Sequence, residues 1–169
     1  MSLRRSVLIA FIALVAASTA AAGPAPLTAE GWGKLRIGMR ERDAVRLFHL
    51  KVSRNDGVSS DECREDAWPG HPGIWVMAQQ GRVTRISVTA DGPRTDKHVG
   101  VGSREADIAR AYGPALIVSE HSYEEAPAHY LTAWAVKGRR GVRFETDRLG
   151  KVTAFHVGDR SIEDIEGCL

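Results

Sequence analysis

The sequence predicts an α+β fold: two tandem pseudo-symmetric repeats, each a short helix followed by an antiparallel meander, joined into one sheet with helices on one face and the other face open. Three observations predict it. "LRIGMRERDAVRLF" (Leu35 to Phe48) returns as "VGVGSREADIARAY" (Val99 to Tyr112), sharing Gly38 with Gly102, Arg40 with Arg104, Glu41 with Glu105, Asp43 with Asp107 and Arg46 with Arg110 at an offset of 64. "GIWVMAQQGRVTRISV" (Gly73 to Val88) lies over "GVRFETDRLGKVTAFHV" (Gly141 to Val157), at offset 68 before the turn and 69 after it, as one extra turn residue requires. Two matches in the same order with nearly the same spacing mark an internal duplication. Finally, strand patterns follow the helical ones rather than alternating with them, which indicates an antiparallel layer structure.

In chain order, "MSLRR" and the apolar "SVLIAFIALVAASTAAAG" have the form of a secretory signal peptide over residues 1–22, with Ala20 and Ala22 as the cleavage site. Residues 23–31 read as a flexible linker, 32–92 as the first repeat, and 93–169 as the second repeat with a C-terminal tail. "LRIG" and "VGVG" are short extended lead-ins whose glycines permit a sharp bend. In the first helix Ala44, Val45, Leu47 and Phe48 share a side, as do Ile108, Ala109, Ala111 and Tyr112 in the second, which Ser103 can cap and Gly113-Pro114 ends. "GIWVMAQ" alternates, Ile74, Val76 and Ala78 against Trp75, Met77 and Gln79, and Gln80-Gly81 turns into "RVTRISV". "ALIVSEHSY", "HYLTAWAVK", "GVRFETD" and "KVTAFHV" give up to four strands in the second repeat, with turns at Pro127, Gly138 and Gly150. Lys51 to Pro72 reads as a degenerate strand pair and a loop carrying Cys63.

Cleavage after residue 22 removes Arg4 and Arg5 and leaves 21 basic against 21 acidic residues. A neutral, interspersed surface excludes nucleic acid and anionic membrane as main partners, since both need a concentrated basic field. The basic tract "KGRR" (Lys137 to Arg140) reads as a solvated hairpin tip. No stable membrane insertion is expected after cleavage, and the compartment is the periplasm or the exterior. In that oxidising setting Cys63 and Cys168 read as a disulfide. Closing a loop of about 100 residues contributes about 4 to 5 kcal/mol by chain entropy, before strain is counted.

"LRIGMRERDAV", "VGVGSREADIARAYG" and "HYLTAWAVKGRRGVRFETDRLGKVTAFHVG" with the terminal "EGC" resemble the BamE-like outer-membrane assembly lipoproteins and the secreted β-lactamase inhibitor proteins, whose fold is a tandem of such units. The likeness covers about Trp32 to Gly158 and implies fold; function is not implied by fold alone. Two departures stand out. The Thr common after Gly-Met, where it caps the helix, is replaced by Arg40 and Arg104, and the lipobox Cys of the BamE-like proteins is missing.

No G-x-S-x-G, H-E-x-x-H, G-x-x-x-x-G-K-[ST] or C-x-x-C occurs, so the sequence points away from an enzyme and calls for no cofactor. The expected function is an exported protein-binding or inhibitor-like module that takes a protein or cell-envelope component on its open sheet face. Trp75 and Met77 alternate onto that face among Arg85, Arg143, Glu145 and His156, a composition that suits a protein interface. The alternative at Trp75 is that the segment from Lys51 to Pro72 covers it, and His156 also reads as a solvated strand position. Trp134 and Tyr130 share a strand face. A second function is a small metal-binding or hydrolytic protein using His121, Glu124 and His129 around the loop "SYEEAPA"; a third is a structural envelope protein without a dedicated ligand.

Overall fold

The computed structural model describes residues 25–52 and 62–168. The expected signal peptide and residues 53–61 of the segment read as a degenerate strand pair lie outside the described residues. Three two-residue strands come first, β1 (Leu27–Thr28), β2 (Gly31–Trp32) and β3 (Leu35–Arg36), paired antiparallel in that order. Leu27 is fully buried and its amide donates to the Arg94 carbonyl at 2.9 Å. This segment therefore belongs to the packed domain, in contrast to the flexible linker expected over 23–31.

The two expected helices form as α1 (Glu41–Phe48) and α2 (Glu105–Tyr112). Ala44 and Ile108 point into the core, while Leu47 is exposed because it lies about 100° around the helix from the buried line. Ser103 does not cap α2. Its hydroxyl accepts from the Gly100 amide at 3.0 Å and from Arg94 at 3.1 Å, fixing the turn, while Asp107 reaches back to the Arg104 amide at 3.2 Å. That backbone bond, helped by Arg110, holds the Asp107 carboxyl below its usual range.

The remaining strands form one antiparallel sheet: β4 (Cys63–Ala67), β5 (Ile74–Gln79), β6 (Arg82–Val88), β7 (Ile117–Glu120), β8 (His129–Val136), β9 (Arg140–Thr146) and β10 (Val152–Gly158). Their order across the sheet is β4-β5-β6-β10-β9-β8-β7. Cys63 thus starts a strand instead of sitting in a loop. Gln80 and Gly81, with φ of 50° and 72°, supply the paired left-handed residues that a two-residue hairpin turn demands. On the helix-covered face Val76, Ile86, Val88, Phe144, Phe155 and Val157 pack against Leu27, Leu35, Ala44 and Ile108.

The two halves make the same backbone bonds. Gly38 donates to Val83, Val83 to Met39 and Glu41 to Gly81; Gly102 donates to Val152, Val152 to Ser103 and Glu105 to Gly150, all between 2.7 and 2.9 Å. β6 and β10 meet with Ser87 opposite His156, flanked by Val88 opposite Phe155 and Ile86 opposite Val157. Ser87 and His156, equated by the offset of 69, thus stand opposite each other on this seam.

The middle of the face expected to be open is closed. After β10 a 3-10 helix (Arg160–Glu163) and the residues up to Cys168 cross that face, and Cys168 is joined to Cys63 by a disulfide. Gly141 makes room for this: a Cβ there would stand 2.6 Å from Trp134 and 3.0 Å from Ile162. The "KGRR" tip is also less solvated than expected, because Arg140 pairs with Glu30 at 3.0 Å.

Candidate functional site

Strand alternation puts Trp75, Ser87, His156, Arg143 and Thr132 in one row across the second face. Trp75 is 40% exposed, whereas Met77, Arg85, Ser87, Thr132, Arg143 and His156 are all buried. Met77, Arg85, Arg143 and His156 were expected to face solvent; the C-terminal segment and the neighbouring side chains cover them. Arg85 carries much of that closure. Its guanidinium donates to the Ser161 carbonyl at 3.1 Å, the Asp164 carbonyl at 2.7 Å and Glu65 at 2.5 Å.

His156 joins Ser87 at 2.9 Å through Nδ1 and Glu145 at 2.9 Å through Nε2. A carboxylate only accepts, so Nε2 carries the proton; the neutral ring then accepts the Ser87 hydroxyl at Nδ1. Burial drives His156 below its ordinary 6.5, reinforced by Arg85 and opposed by the Glu145 hydrogen bond. Burial alone would raise Glu145, but its bond to His156, with His121 and Arg143 nearby, holds the carboxyl below its usual range. Arg143 lies 4.0 Å over the Tyr130 ring, and burial lowers it from its ordinary value.

The Ser87–His156–Glu145 chain has the donor sense of a nucleophile-activating triad. Its setting does not suit acyl transfer: Ser87 is 4% exposed and lies mid-strand, where the ladders to β5 and β10 use the backbone amides an oxyanion would need. What this chain does is satisfy buried polar atoms along the β6–β10 seam.

His121 and His129 fall on opposite faces. His121 stacks on Tyr130 at 4.3 Å, and its Nδ1 accepts from the Tyr123 and Glu124 amides. His129 bonds to Glu105 of α2 at 3.1 Å, and Glu124 lies 3.7 Å from Arg148. The three do not converge, and among the described residues no group of three or more His, Cys, Asp or Glu could hold a metal ion.

One feature that the sequence reading missed is the sheet edge β7, whose four residues are all exposed. The His121 amide donates to the Ala128 carbonyl, so at this register His121 and Ala128 are on the bonded side of the ladder. By alternation Ser119–Tyr130 and Ile117–Thr132 are too, so the N–H and C=O groups of Val118 and Glu120 point outward. Among the described residues no strand pairs with this edge, and Ile117 and Val118 add exposed apolar side chains on the two faces. The opposite edge is protected: Lys51 exchanges two backbone bonds with Ala67 of β4, which also carries Arg64, Glu65, Asp66 and the disulfide.

The disulfide suits a protein exported to an oxidising compartment. No family model and no curated protein matches this chain. Among solved structures it is similar to a cysteine-rich secretory protein from Staphylococcus aureus subsp. aureus Mu50, with 13% identity and a TM-score of 0.47 over 81% of this chain and 47% of that one. An extracellular protein containing an SCP domain from Bacillus anthracis str. Ames matches at 8% identity and a TM-score of 0.43, over 73% of this chain and 44% of that one. The chain spans less than half the length of either, and likeness at this level assigns no function.

Proposed function

We propose that this is an exported, non-enzymatic protein-binding module of the bacterial envelope, periplasmic or secreted, built as a duplicated BamE-like or inhibitor-like unit. Its partner is a protein that adds an extended segment to the edge of β7. The observation that carries this is the outward backbone of Val118 and Glu120 on a strand exposed on both faces, beside an opposite edge that is blocked. Strand addition draws affinity from main-chain bonds and selectivity from alternate side chains, here Ile117 and Val118. The apolar leader and the disulfide support the compartment, and the matched backbone bonds of the two halves support the duplication.

Val118→Pro tests it. Proline removes the outward N–H and leaves the β7–β8 ladder intact, as edge strands tolerate. After crosslinking in the envelope of the source cell, wild type should retain a specific protein that Val118→Pro loses at least tenfold, with an unchanged melting temperature. Equal retention by both chains rejects the edge. Loss with Trp75→Ala and not with Val118→Pro moves the partner to the far end of the sheet.

A further inference from the structure

The helix layer has a gap between β1 and the end of α2, and the gap is a cavity of about 220 Å³. Its floor is the helix-side face of the sheet at Ala133, Val142 and Val157, and its walls are Leu27 and Tyr112. Small residues leave the space: Ala29, Ala115 and Ala135 line it where a larger side chain would fill it. The turn after the first repeat brings in Thr95, Asp96 and Lys97.

Thr95 is 2% exposed, and its hydroxyl has no hydrogen-bond partner of acceptable geometry. It stands near enough to the Tyr112 phenol to oppose the rise of that group's pKa, yet does not close a proper bond with it. Burial pushes Tyr112 up to about 12, so the phenol keeps its proton and remains a donor. A buried hydroxyl left without a partner is costly, and a cavity that also holds a second hydroxyl offers a ligand a polar anchor.

We propose that this cavity binds a small, uncharged, largely apolar molecule carrying one hydroxyl or carbonyl, which hydrogen-bonds Thr95 while its apolar body lies on Ala133, Val142 and Val157. The size follows from the volume, which is below the roughly 300 Å³ at which pockets for drug-sized ligands begin. The neutrality follows from the rim, where exposed Asp96 and Lys97 oppose each other, and from the cost of desolvating a charge against an apolar floor. This site is separate from the β7 edge and stands whether or not a protein docks there.

Three probes of one shape separate the possibilities: cyclohexanol, methylcyclohexane and cyclohexanecarboxylate, titrated into the isotope-labelled protein and followed by amide shifts. Cyclohexanol should saturate, with shifts centred on Thr95, Tyr112 and Trp134. Thr95→Val should weaken it about three- to tenfold, the range for one hydrogen bond, without changing methylcyclohexane binding. Ala133→Leu, which fills the floor, should abolish both. The proposal is overturned if no probe saturates, if the carboxylate binds best, or if folded Ala133→Leu binds like wild type.

Discussion

His156 has a neighbour on each ring nitrogen, and burial keeps the ring neutral against the pull of the Glu145 carboxylate. Ser87 offers a proton to Nδ1 and Glu145 accepts one from Nε2. The folded imidazole resists protonation, so once pH drops below about 6.5 the unfolded chain takes up more protons than the folded one, and stability falls with pH. Glu145, held below its ordinary 4.5, extends the loss to lower pH, because its stabilisation disappears only as pH falls through the folded value. The urea midpoint of the wild type should therefore drop between pH 7.5 and 5.5; a flat or rising midpoint would rule this out. His156→Gln should cost about 1 to 3 kcal/mol at pH 7.5 and flatten the slope. The sequence carried a signal for this pair, since the offset of 69 equates Ser87 with His156. What it lacked was the cover: alternation assigns His156 to the second face but does not say what lies over that face.

At the scale of elements, the helices and long strands were legible because each spans enough residues to show a period. β1, β2 and β3 have two residues each, too few to alternate, and so the segment around Leu27 read as linker. The C-terminal segment was illegible for a related reason. A four-residue 3-10 helix has no periodic face, and burial of Ser161 and Ile162 arises only where they dock against Gly141 and Arg85. Arg85 gives this segment two hydrogen bonds, beside Gln79 to Asp164, Tyr123 to Glu166 and the disulfide. Arg85→Met leaves Glu65 and two carbonyls without their donor, and the expected cost is about 3 to 5 kcal/mol, read from urea unfolding. An Arg85→Met chain within about 1 kcal/mol of wild type, roughly a single ordinary hydrogen bond, would show that the disulfide and the remaining bonds suffice to hold the segment.

Over the whole molecule, the two halves share one core and one seam. β6 and β10 put Ile86, Val88, Phe155 and Val157 into one core that Ala44 of α1 and Ile108 of α2 also enter, so neither half keeps its core without the other. Residues 25–92 and 93–168 made separately should each show collapsed amide dispersion, and a folded spectrum from either would contradict the shared core. The edge at β7 comes from a way in which the second half differs from the first, an added outer strand in the seven-stranded sheet. The sheet order also has a kinetic consequence. Within the seven-stranded sheet every strand pairs with its neighbour in sequence except at β6–β10, so each meander closes only short loops and the long-range closure of that sheet falls in one step. Folding then becomes an encounter of two preformed meanders along a single line, and the rate of that encounter, rather than the formation of any hairpin, sets how long the chain stays open to misassembly after it reaches its compartment.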